Sequence, residues 1–176
     1  RQRVAVKYFK KLCSLSNRSE VEKQERDIKN EVSIMKVLGR GSRHLVRFID
    51  YLEVHSKVYL LVELCTAGDL EKMLYIRRQF TEEETVCVAN QLLKALEYMH
   101  DMGIIHGDIK APNIMFQVKQ GPLLHDSPVS RNTSIFRSPL GLTLKVCDFG
   151  ASRKVSDPES VGSSSLDSQD EQGFSM

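Results

Sequence analysis

A polar loop of eight residues, His106 to Asn113, carries the side chains with the most evident chemistry. The Asp108 carboxylate can accept a proton, and the Lys110 ammonium can neutralise a developing anion. Asn113 can offer an oxygen ligand to a hard metal ion. Such a set suits phosphoryl transfer, in which a protein mainly positions and neutralises the reacting groups. The same residue types also form ordinary surface turns, so the loop alone leaves both interpretations open.

Three other short stretches precede or follow this loop, and their residue types and order along the chain are informative. Val4-Ala5-Val6-Lys7 stands near the start, Glu31 follows in an amphipathic segment, and Asp148-Phe149-Gly150 comes after the loop. These residue types in this order resemble the catalytic domain of the eukaryotic protein kinases. The resemblance extends from Val4 to about Lys154.

The resemblance implies a role for each of the charged residues. Lys7 would contact the α- and β-phosphates of ATP, and Glu31 would hold Lys7 in place through an ion pair. Glu25 is a weaker rival for this pairing, and the sequence around Glu31 resembles the family more closely. Asp108 would accept the proton of the substrate hydroxyl, and Lys110 would steady the transferring phosphoryl group. These four residues are the predicted catalytic set.

Asn113 and Asp148 are implied as the ligands of Mg²⁺. The form of the loop also points to a substrate class, because serine/threonine kinases resemble Asp-x-Lys-x-x-Asn at Asp108, Lys110 and Asn113. The implied partners are therefore ATP and a protein that presents a serine or threonine. A pseudokinase or ATP-binding scaffold is the alternative, and a small-molecule phosphotransferase of the same fold is a third interpretation.

The predicted nucleotide site is centred on a hinge at residues 65–69. In the family that the chain resembles, adenine hydrogen-bonds to the hinge backbone, which here implicates Glu63 and Cys65, with Val62 as the gatekeeper. Asp69 is placed for the ribose hydroxyls, and it can also cap a helix over 70–76. The residues expected around the nucleotide are Ala5, Lys7, Val62, Glu63, Cys65, Asp69 and Met115.

Hydrophobic periodicity predicts both strands and helices. A repeat of four, three and three residues at Ile28, Val32, Met35 and Leu38 predicts a helix over 20–38, which Gly39 is expected to stop. A capping box at Thr81 opens a second long helix, whose expected stripe is Val88, Leu92, Leu96 and Met99 and which Gly103 ends. Alternating or apolar runs predict strands over 3–9, 45–53, 57–64, 114–118 and 142–147.

These elements predict an α+β fold, a two-lobe kinase-like architecture that is incomplete. The predicted units are an N-lobe part over 1–64, the hinge, a C-lobe part over 70–155 and an activation segment over 156–176. At 176 residues the chain is shorter than a complete kinase domain, so the resemblance implies a fragment that is inactive by itself.

Two segments have the composition of mobile loops. The stretch 119–141 is rich in Ser, Pro and Gly and is expected to be an exposed insert. Its Ser127-Pro128 and Ser138-Pro139 pairs fit proline-directed phosphorylation. The stretch 156–176 is Ser-rich and acidic, and it is expected to be disordered.

Composition narrows the other function classes. A net charge of +2 with interspersed acids and bases argues against a dedicated nucleic-acid binder. No apolar run approaches the length that spans a bilayer. The four cysteines are scattered without a C-x-x-C pair, which favours free thiols in a reducing compartment. The expected location is therefore intracellular, in the cytoplasm or the nucleus.

Two features concern regulation. Most kinases resemble His-Arg-Asp where this chain has Gly107, so it lacks the arginine that pairs with a phosphate on the activation segment. Activity is therefore expected to depend little on phosphorylation at Ser163, Ser164 or Ser165. The family also implies a regulatory stack of four side chains, Met35, Phe48, His106 and Phe149.

Overall fold

The computed structural model describes residues 3–11, 18–55, 57–118 and 138–155. The strands are β1 (Val4–Lys10), β2 (Phe48–Val54), β3 (Lys57–Glu63), β4 (Ile104–Ile105), β5 (Ile114–Val118), β6 (Leu142–Val146) and β7 (Arg153–Lys154). The helices are α1 (Arg18–Leu38), α2 (Leu70–Arg77) and α3 (Glu82–Asp101), with short 3₁₀ turns at Ala111–Asn113 and Pro139–Gly141. Within the described ranges, no helix combines the length and apolar character needed to cross a membrane.

The first half of the chain forms a three-stranded antiparallel sheet in the order β1-β3-β2. Strand β1 pairs with β3 so that Lys7 stands opposite Leu60, which is only 1% exposed. Side chains on a strand alternate between its two faces, so Lys7 is half-buried while its neighbours Val6 and Tyr8 are exposed. The alternation therefore turns the lysine inward.

Helix α1 follows the predicted period closely. Ile28, Val32, Met35 and Leu38 are all buried, and Ile34 is fully buried beside them. Gly39 then adopts a φ of 55° and donates its N–H to the Met35 carbonyl, which ends the helix. Val32, Met35 and Leu38 of this stripe belong to the main hydrophobic core.

The second half of the chain contains helices and short strand pairs. Thr81 and Glu84 form a reciprocal capping box at the start of α3, and Gly103 lies just beyond its end with a φ of 66°. Strand β5 pairs with β6, and β4 pairs with β7. The β5–β6 pair joins the same core, because Phe116, Leu144 and Val146 are all fully buried.

The α+β prediction is confirmed, with boundary differences of a few residues. The largest difference concerns β2, which begins at Phe48 rather than at Leu45. Leu45 instead forms a parallel bridge to Val146, and Val46 donates its N–H to the Val146 carbonyl. This segment therefore joins the β5–β6 pair before it enters the sheet. On α3, Val88 and Met99 are buried as expected, while Leu92 and Leu96 are only half-buried.

The predicted exposure of the loop over 119–141 holds at Leu140 and Gly141, which are exposed, and fails at Pro139. Residues 119–137 lie outside the described part of the chain, as does Ser127. Pro139 is buried, and Ser138 caps the short turn by accepting a hydrogen bond from Leu140. The turn is ordered because it packs against α3. The stretch 156–176 also lies outside the described residues, so its expected disorder stays a prediction.

Candidate active site

A cavity of about 300 Å³ is bounded by residues of β1, α1, β3 and β5. Most of the residues predicted for the nucleotide and the metal line it, together with Glu31 of the predicted catalytic set. They are Ala5, Lys7, Glu31, Val62, Glu63, Cys65, Met115, Asn113 and Asp148. Their roles stay predictions, but the fold brings side chains from distant parts of the chain to one cavity.

Five further residues line the cavity without having been predicted for the nucleotide, metal or catalytic roles. They are Met35, Val46, Leu60, Leu64 and Cys147. Strand periodicity carries a signal for one of them, because Leu60 and Val62 share a face of β3 at a spacing of two. The sequence carries no comparable signal for Val46. Val46 reaches the cavity because it donates its N–H to the Val146 carbonyl, next to the bridge between Leu45 and Val146.

Lys7 lies between two carboxylates. Its Nζ is 2.8 Å from Oε1 of Glu31 and 2.7 Å from Oδ1 of Asp148. Glu31 comes from α1, with a side chain 5% exposed, and Asp148 lies 141 positions further along the chain than Lys7. The predicted Lys7–Glu31 ion pair is therefore present. The rival Glu25 pairs instead with Lys29 across one helical turn, at 3.8 Å.

Burial and pairing act in opposite directions on this cluster. Burial disfavours the ammonium, but the hydrogen bonds from Lys7 to Asp148 and Glu31 outweigh it, and the pKa of Lys7 is raised. Burial likewise opposes the charge on Asp148. The hydrogen bond from Lys7 prevails there, so the pKa of the Asp148 carboxyl is lowered. Both groups are charged at neutral pH, as phosphate and metal binding require.

The predicted catalytic pair is held in the loop that precedes β5. Lys110 Nζ lies 2.7 Å from Oδ2 of Asp108. The Asn113 amide donates to the same oxygen at 2.9 Å and to the Asp108 backbone carbonyl at 3.0 Å. The hydrogen bond from Lys110 is the main cause of a lowered pKa at Asp108. These contacts orient the carboxylate, and among the described residues its Oδ1 atom has no hydrogen-bond partner.

Asp108 and Lys110 do not line the cavity. Their charges nevertheless interact with the charge of Asp148, which does line it. The hydrogen bond to Asp108 raises the pKa of Lys110, and the charge of Asp148 contributes in the same direction. The loop and the cavity are therefore electrostatically coupled. This position suits a group that meets the second substrate rather than the nucleotide.

His106 fastens the loop to the Asp148 segment. Its Nδ1 accepts the Asp108 N–H at 3.3 Å, so Nε2 carries the hydrogen and donates to the Cys147 carbonyl at 3.1 Å. Burial lowers the pKa of His106, which favours the neutral ring that this pattern needs. Its ring also packs on Phe149 at a centroid distance of 5.4 Å.

The four side chains of the implied regulatory stack belong to the main hydrophobic core or adjoin it. Met35 and Phe149 are buried in the main hydrophobic cluster, and Phe48 packs against that cluster. His106 contacts Phe149 directly. The His106–Phe149 contact of the implied stack is therefore present, and its continuation to Met35 and Phe48 stays a prediction.

Cys65 and Asp69 of the hinge differ in whether their polar groups are already engaged in hydrogen bonds. Within the described part of the chain, the backbone N–H and carbonyl of Cys65 have no hydrogen-bond partner, so they are available to adenine. Asp69 caps α2 by accepting the Lys72 N–H at 2.8 Å, and its other oxygen lies 2.9 Å from Lys72 Nζ. Asp69 does not line the cavity, so its ribose role stays a prediction while its capping role is confirmed.

Two thiols of the cavity are held neutral. Burial raises the pKa of Cys65 to about 12 and that of Cys147 to about 11. Thiols with such values are poor nucleophiles and poor metal ligands at neutral pH. They therefore serve as apolar lining of the cavity and contribute no chemistry of their own.

The oxygen donors fit a magnesium ion that is shared with phosphates. Among the described residues, no cluster of three or more His, Cys, Asp or Glu side chains is arranged to hold a metal by itself. Magnesium in phosphate-transfer sites is usually bound by one or two protein oxygens plus substrate phosphates and water. Asp148 and Asn113 supply such a pair, since the Asn113 amide nitrogen is engaged with Asp108 and its oxygen is left available.

Comparison with known proteins agrees with this geometry. The family model described as "Protein kinase domain" matches residues 1–169. The chain therefore belongs to the protein kinase domain family. This confirms the kinase-like two-lobe fold.

Three individual relatives are 29% to 32% identical to this chain over the aligned residues, and each is much longer than this chain. A protein named as a probable myosin light chain kinase from Dictyostelium discoideum is 32% identical over 130 residues, which is 74% of this chain and 34% of that protein. Serine/threonine-protein kinase 33 of Mus musculus is 32% identical over 125 residues, 71% of this chain and 22% of its own length. The calcium/calmodulin-dependent protein kinase type I of Schizosaccharomyces pombe is 29% identical over 107 residues, 61% of this chain and 32% of its own. The chain thus spans about a third or less of these relatives.

Proposed function

We propose that the protein carrying this chain is an ATP-dependent serine/threonine kinase that transfers the γ-phosphoryl group to a protein hydroxyl. The observation that carries the proposal is the position of Lys7 between Glu31 and Asp148, at 2.8 and 2.7 Å. An ammonium held by one buried carboxylate, beside a second carboxylate at the cavity, is the arrangement that phosphoryl transfer uses. The kinase names of the relatives agree with it.

The chain's own residues divide the work by position. The backbone groups of Cys65 would meet adenine, and the apolar lining around Val62 would exclude water from it. Lys7 would neutralise charge on the phosphates, oriented by Glu31. Asp148 and Asn113 would hold Mg²⁺, which supplies additional positive charge to the phosphates when bound.

The substrate hydroxyl would approach Asp108 at its available Oδ1 atom. Lys110 lowers the pKa of this carboxyl, so Asp108 is a weak base that mainly orients the hydroxyl and accepts its proton late in the reaction. Lys110 would in turn contact the transferring group. Neutralising several negative oxygens at once in a confined site is the main catalytic contribution.

The first test removes charge from the site and leaves its shape. Asp148 has a φ of 64°, a conformation that asparagine tolerates well, so Asp148→Asn removes the charge with little backbone strain. In the full-length protein we expect Asp148→Asn and Lys7→Met each to lower kcat for phosphorylation of a generic protein substrate by at least about a hundredfold. The readout is transfer of labelled phosphate from ATP.

The control is Lys10→Met, because Lys10 is exposed on the same strand and does not line the cavity. It should retain activity within about twofold of the parent, as most surface substitutions do. Equal activity of Lys7→Met and Lys10→Met would refute the proposal. Nucleotide binding by the parent without any phosphoryl transfer would favour the pseudokinase or scaffold alternative.

The cellular location also stays a proposal. The cysteines Cys65, Cys87 and Cys147 are free thiols in the described structure, which is the usual state in a reducing compartment. An intracellular location, cytoplasmic or nuclear, is therefore the one we propose. Microscopy of the tagged full-length protein tests it.

A further inference from the structure

A second cavity, of about 530 Å³, lies at the junction of the α1–β2 connection, the end of β3 and the β5–β6 pair. Of the described residues that line either cavity, Glu63 alone lines both. The charged residues that line the second cavity are Arg40, Arg43, Arg47, Lys145 and Glu63. We call this cavity the arginine pocket.

One of these cations is already neutralised. Lys145 is 8% exposed, and its Nζ lies 2.8 Å from Oε2 of Glu63. The same Glu63 oxygen accepts the backbone N–H of Arg47 at 3.3 Å. Glu63 therefore balances Lys145, and among the described residues no carboxylate forms an ion pair with any of the three arginines.

The three arginines differ from Lys145 in their pairing. Within the described ranges, none of Arg40, Arg43 and Arg47 forms an ion pair, whereas Arg18 on α1 pairs with Glu22 at 3.0 Å. Like charges that line one cavity repel each other, and the repulsion is relieved only by solvent or by an anion. Three such cations around one concave space are arranged for an anionic ligand.

The buried His44 reports the same positive field. Burial is the largest cause of its lowered pKa, and the charges of Arg43, Lys94 and Lys145 act in the same direction. The His44 ring also holds the α1–β2 connection against β6, because its Nδ1 lies 3.2 Å from the Leu144 carbonyl oxygen. Of the three cations that act on His44, Arg43 and Lys145 line the arginine pocket.

We propose that the arginine pocket binds the phosphate group of a phosphorylated serine or threonine side chain. A phosphate monoester carries nearly two negative charges at pH 7 and presents oxygens that match the forked donors of arginine. A nucleic acid would need an extended basic stripe, whereas these cations surround one compact cavity. The proposal does not depend on catalysis by this chain.

The chain itself contains a candidate source of that group. Val118 and Thr143 line the pocket, and they flank the segment 119–141 on both sides. This segment includes Ser127, Ser130 and Ser134. A phosphate on a tethered segment has a high effective concentration at the pocket, so it competes well with a phosphorylated partner that binds in trans.

The experiment measures binding of a labelled peptide to the full-length protein by fluorescence anisotropy. The probe covers residues 123–131 with phosphoserine at position 127, and its twin lacks the phosphate. We expect the phosphopeptide to bind at least about tenfold more tightly than its twin. The double variant Arg43→Gln with Arg47→Gln should weaken phosphopeptide binding by about tenfold or more, and the corresponding Lys double variant should weaken it less.

The control removes the same charge elsewhere. Arg3 and Arg26 are exposed and line no part of the pocket, so Arg3→Gln with Arg26→Gln changes the net charge equally. This variant should bind the phosphopeptide like the parent. Equal binding of the two peptides, or an equal loss in both double variants, would overturn the proposal.

A further arm assigns the source of the phosphate. Protein phosphorylated within 119–141, verified by mass spectrometry, is titrated with the same phosphopeptide. Reduced binding supports the proposal with the segment as occupant, because the tethered phosphate fills the pocket. Unchanged binding that still requires Arg43 and Arg47 supports it with a partner's phosphorylated residue as occupant.

Discussion

Gly107 occupies a backbone position that no other residue fills without strain. Its φ is 80°, and a Cβ at this position would lie 2.4 Å from the Ala151 carbonyl oxygen. Real Cβ atoms do not approach a backbone oxygen so closely. Gly107 therefore lets the loop that carries Asp108 lie directly against the segment that follows Phe149. The glycine that replaces the arginine of most kinases has a packing role here as well as an electrostatic consequence.

A matched pair of glycines tests this contact. Gly103 has a similar φ of 66°, but a Cβ there would meet nothing within 4 Å. Gly103→Ala should cost about 1–2 kcal/mol for its conformation alone. Gly107→Ala should cost about 1–3 kcal/mol more, because the methyl group also forces the two backbones apart. Thermal unfolding midpoints of the two variants check the order, and equal midpoints would show that the contact is easily relaxed.

The start of helix α3 is an element whose stability depends on one carboxylate. Glu84 accepts the Thr81 N–H at 3.0 Å and pairs with Arg77 at 2.7 Å. A hydrogen bond from Ser138 is the largest cause that lowers the pKa of Glu84 to about 2, followed by the bond from Thr81. Glu84 thus joins α2, α3 and the turn before β6 in one polar junction.

The pH dependence of this junction has a definite sign. The pKa of Glu84 in the folded protein lies below its ordinary value of 4.5, so its stabilisation is present above pH 4.5 and is lost as the pH falls toward 2. Glu84→Gln should therefore lower the unfolding midpoint at pH 7 and flatten its dependence on pH in that acidic window. Glu83→Gln, in the same first turn but exposed, is the control and should leave the acidic slope unchanged.

At the scale of the whole molecule, several contacts join the sheet half to the helical half. The Tyr98 hydroxyl on α3 donates to the Leu38 carbonyl at the end of α1, at 2.8 Å. Gly41 passes so close to this ring that a Cβ there would lie 2.0 Å from the hydroxyl oxygen. The end of α1 is therefore anchored to α3, and this anchor helps to set the position of Glu31 over the cavity.

Removal of the Tyr98 hydroxyl tests the anchor. Tyr98→Phe keeps the ring but deletes the hydrogen bond to Leu38, and it should cost about 1 kcal/mol of stability. Tyr75→Phe is the control, because Tyr75 is 73% exposed. Differential scanning fluorimetry of both variants measures the effect. A shift in Tyr75→Phe as large as that in Tyr98→Phe would mean that the anchor contributes nothing specific.

The response of activity to phosphorylation also belongs to the scale of the whole molecule, because a phosphate acts through a cation elsewhere in the fold. Since Gly107 supplies no cation, changing every serine from Ser156 to Ser175 to alanine in the full-length protein should leave kcat within a few-fold of the parent. These serines lie outside the described residues. Steady-state kinetics with a generic protein substrate measures the effect. A hundredfold loss would show that a phosphate in this segment acts through another cation.

Local sequence patterns determined the elements and the identity of the chemical groups. The period in α1, the capping box at Thr81 and the stop at Gly39 depend on neighbouring residues, so they are legible in the sequence. The Lys7–Glu31 pair was also predicted, although only the resemblance to a family singled out Glu31 from Glu25. Residue type and order were enough for these features because their chemistry is local or is shared by a family.

Contacts between distant segments were decided only by the tertiary structure. Lys7 and Asp148 are 141 positions apart, and Lys145 lies 82 positions from Glu63. Pro139 was expected in a loop but is buried, because α3 offers it a surface to pack against. The arginine pocket likewise combines the α1–β2 connection with β6. No periodicity encodes such contacts, since they depend on the packing of whole elements against one another.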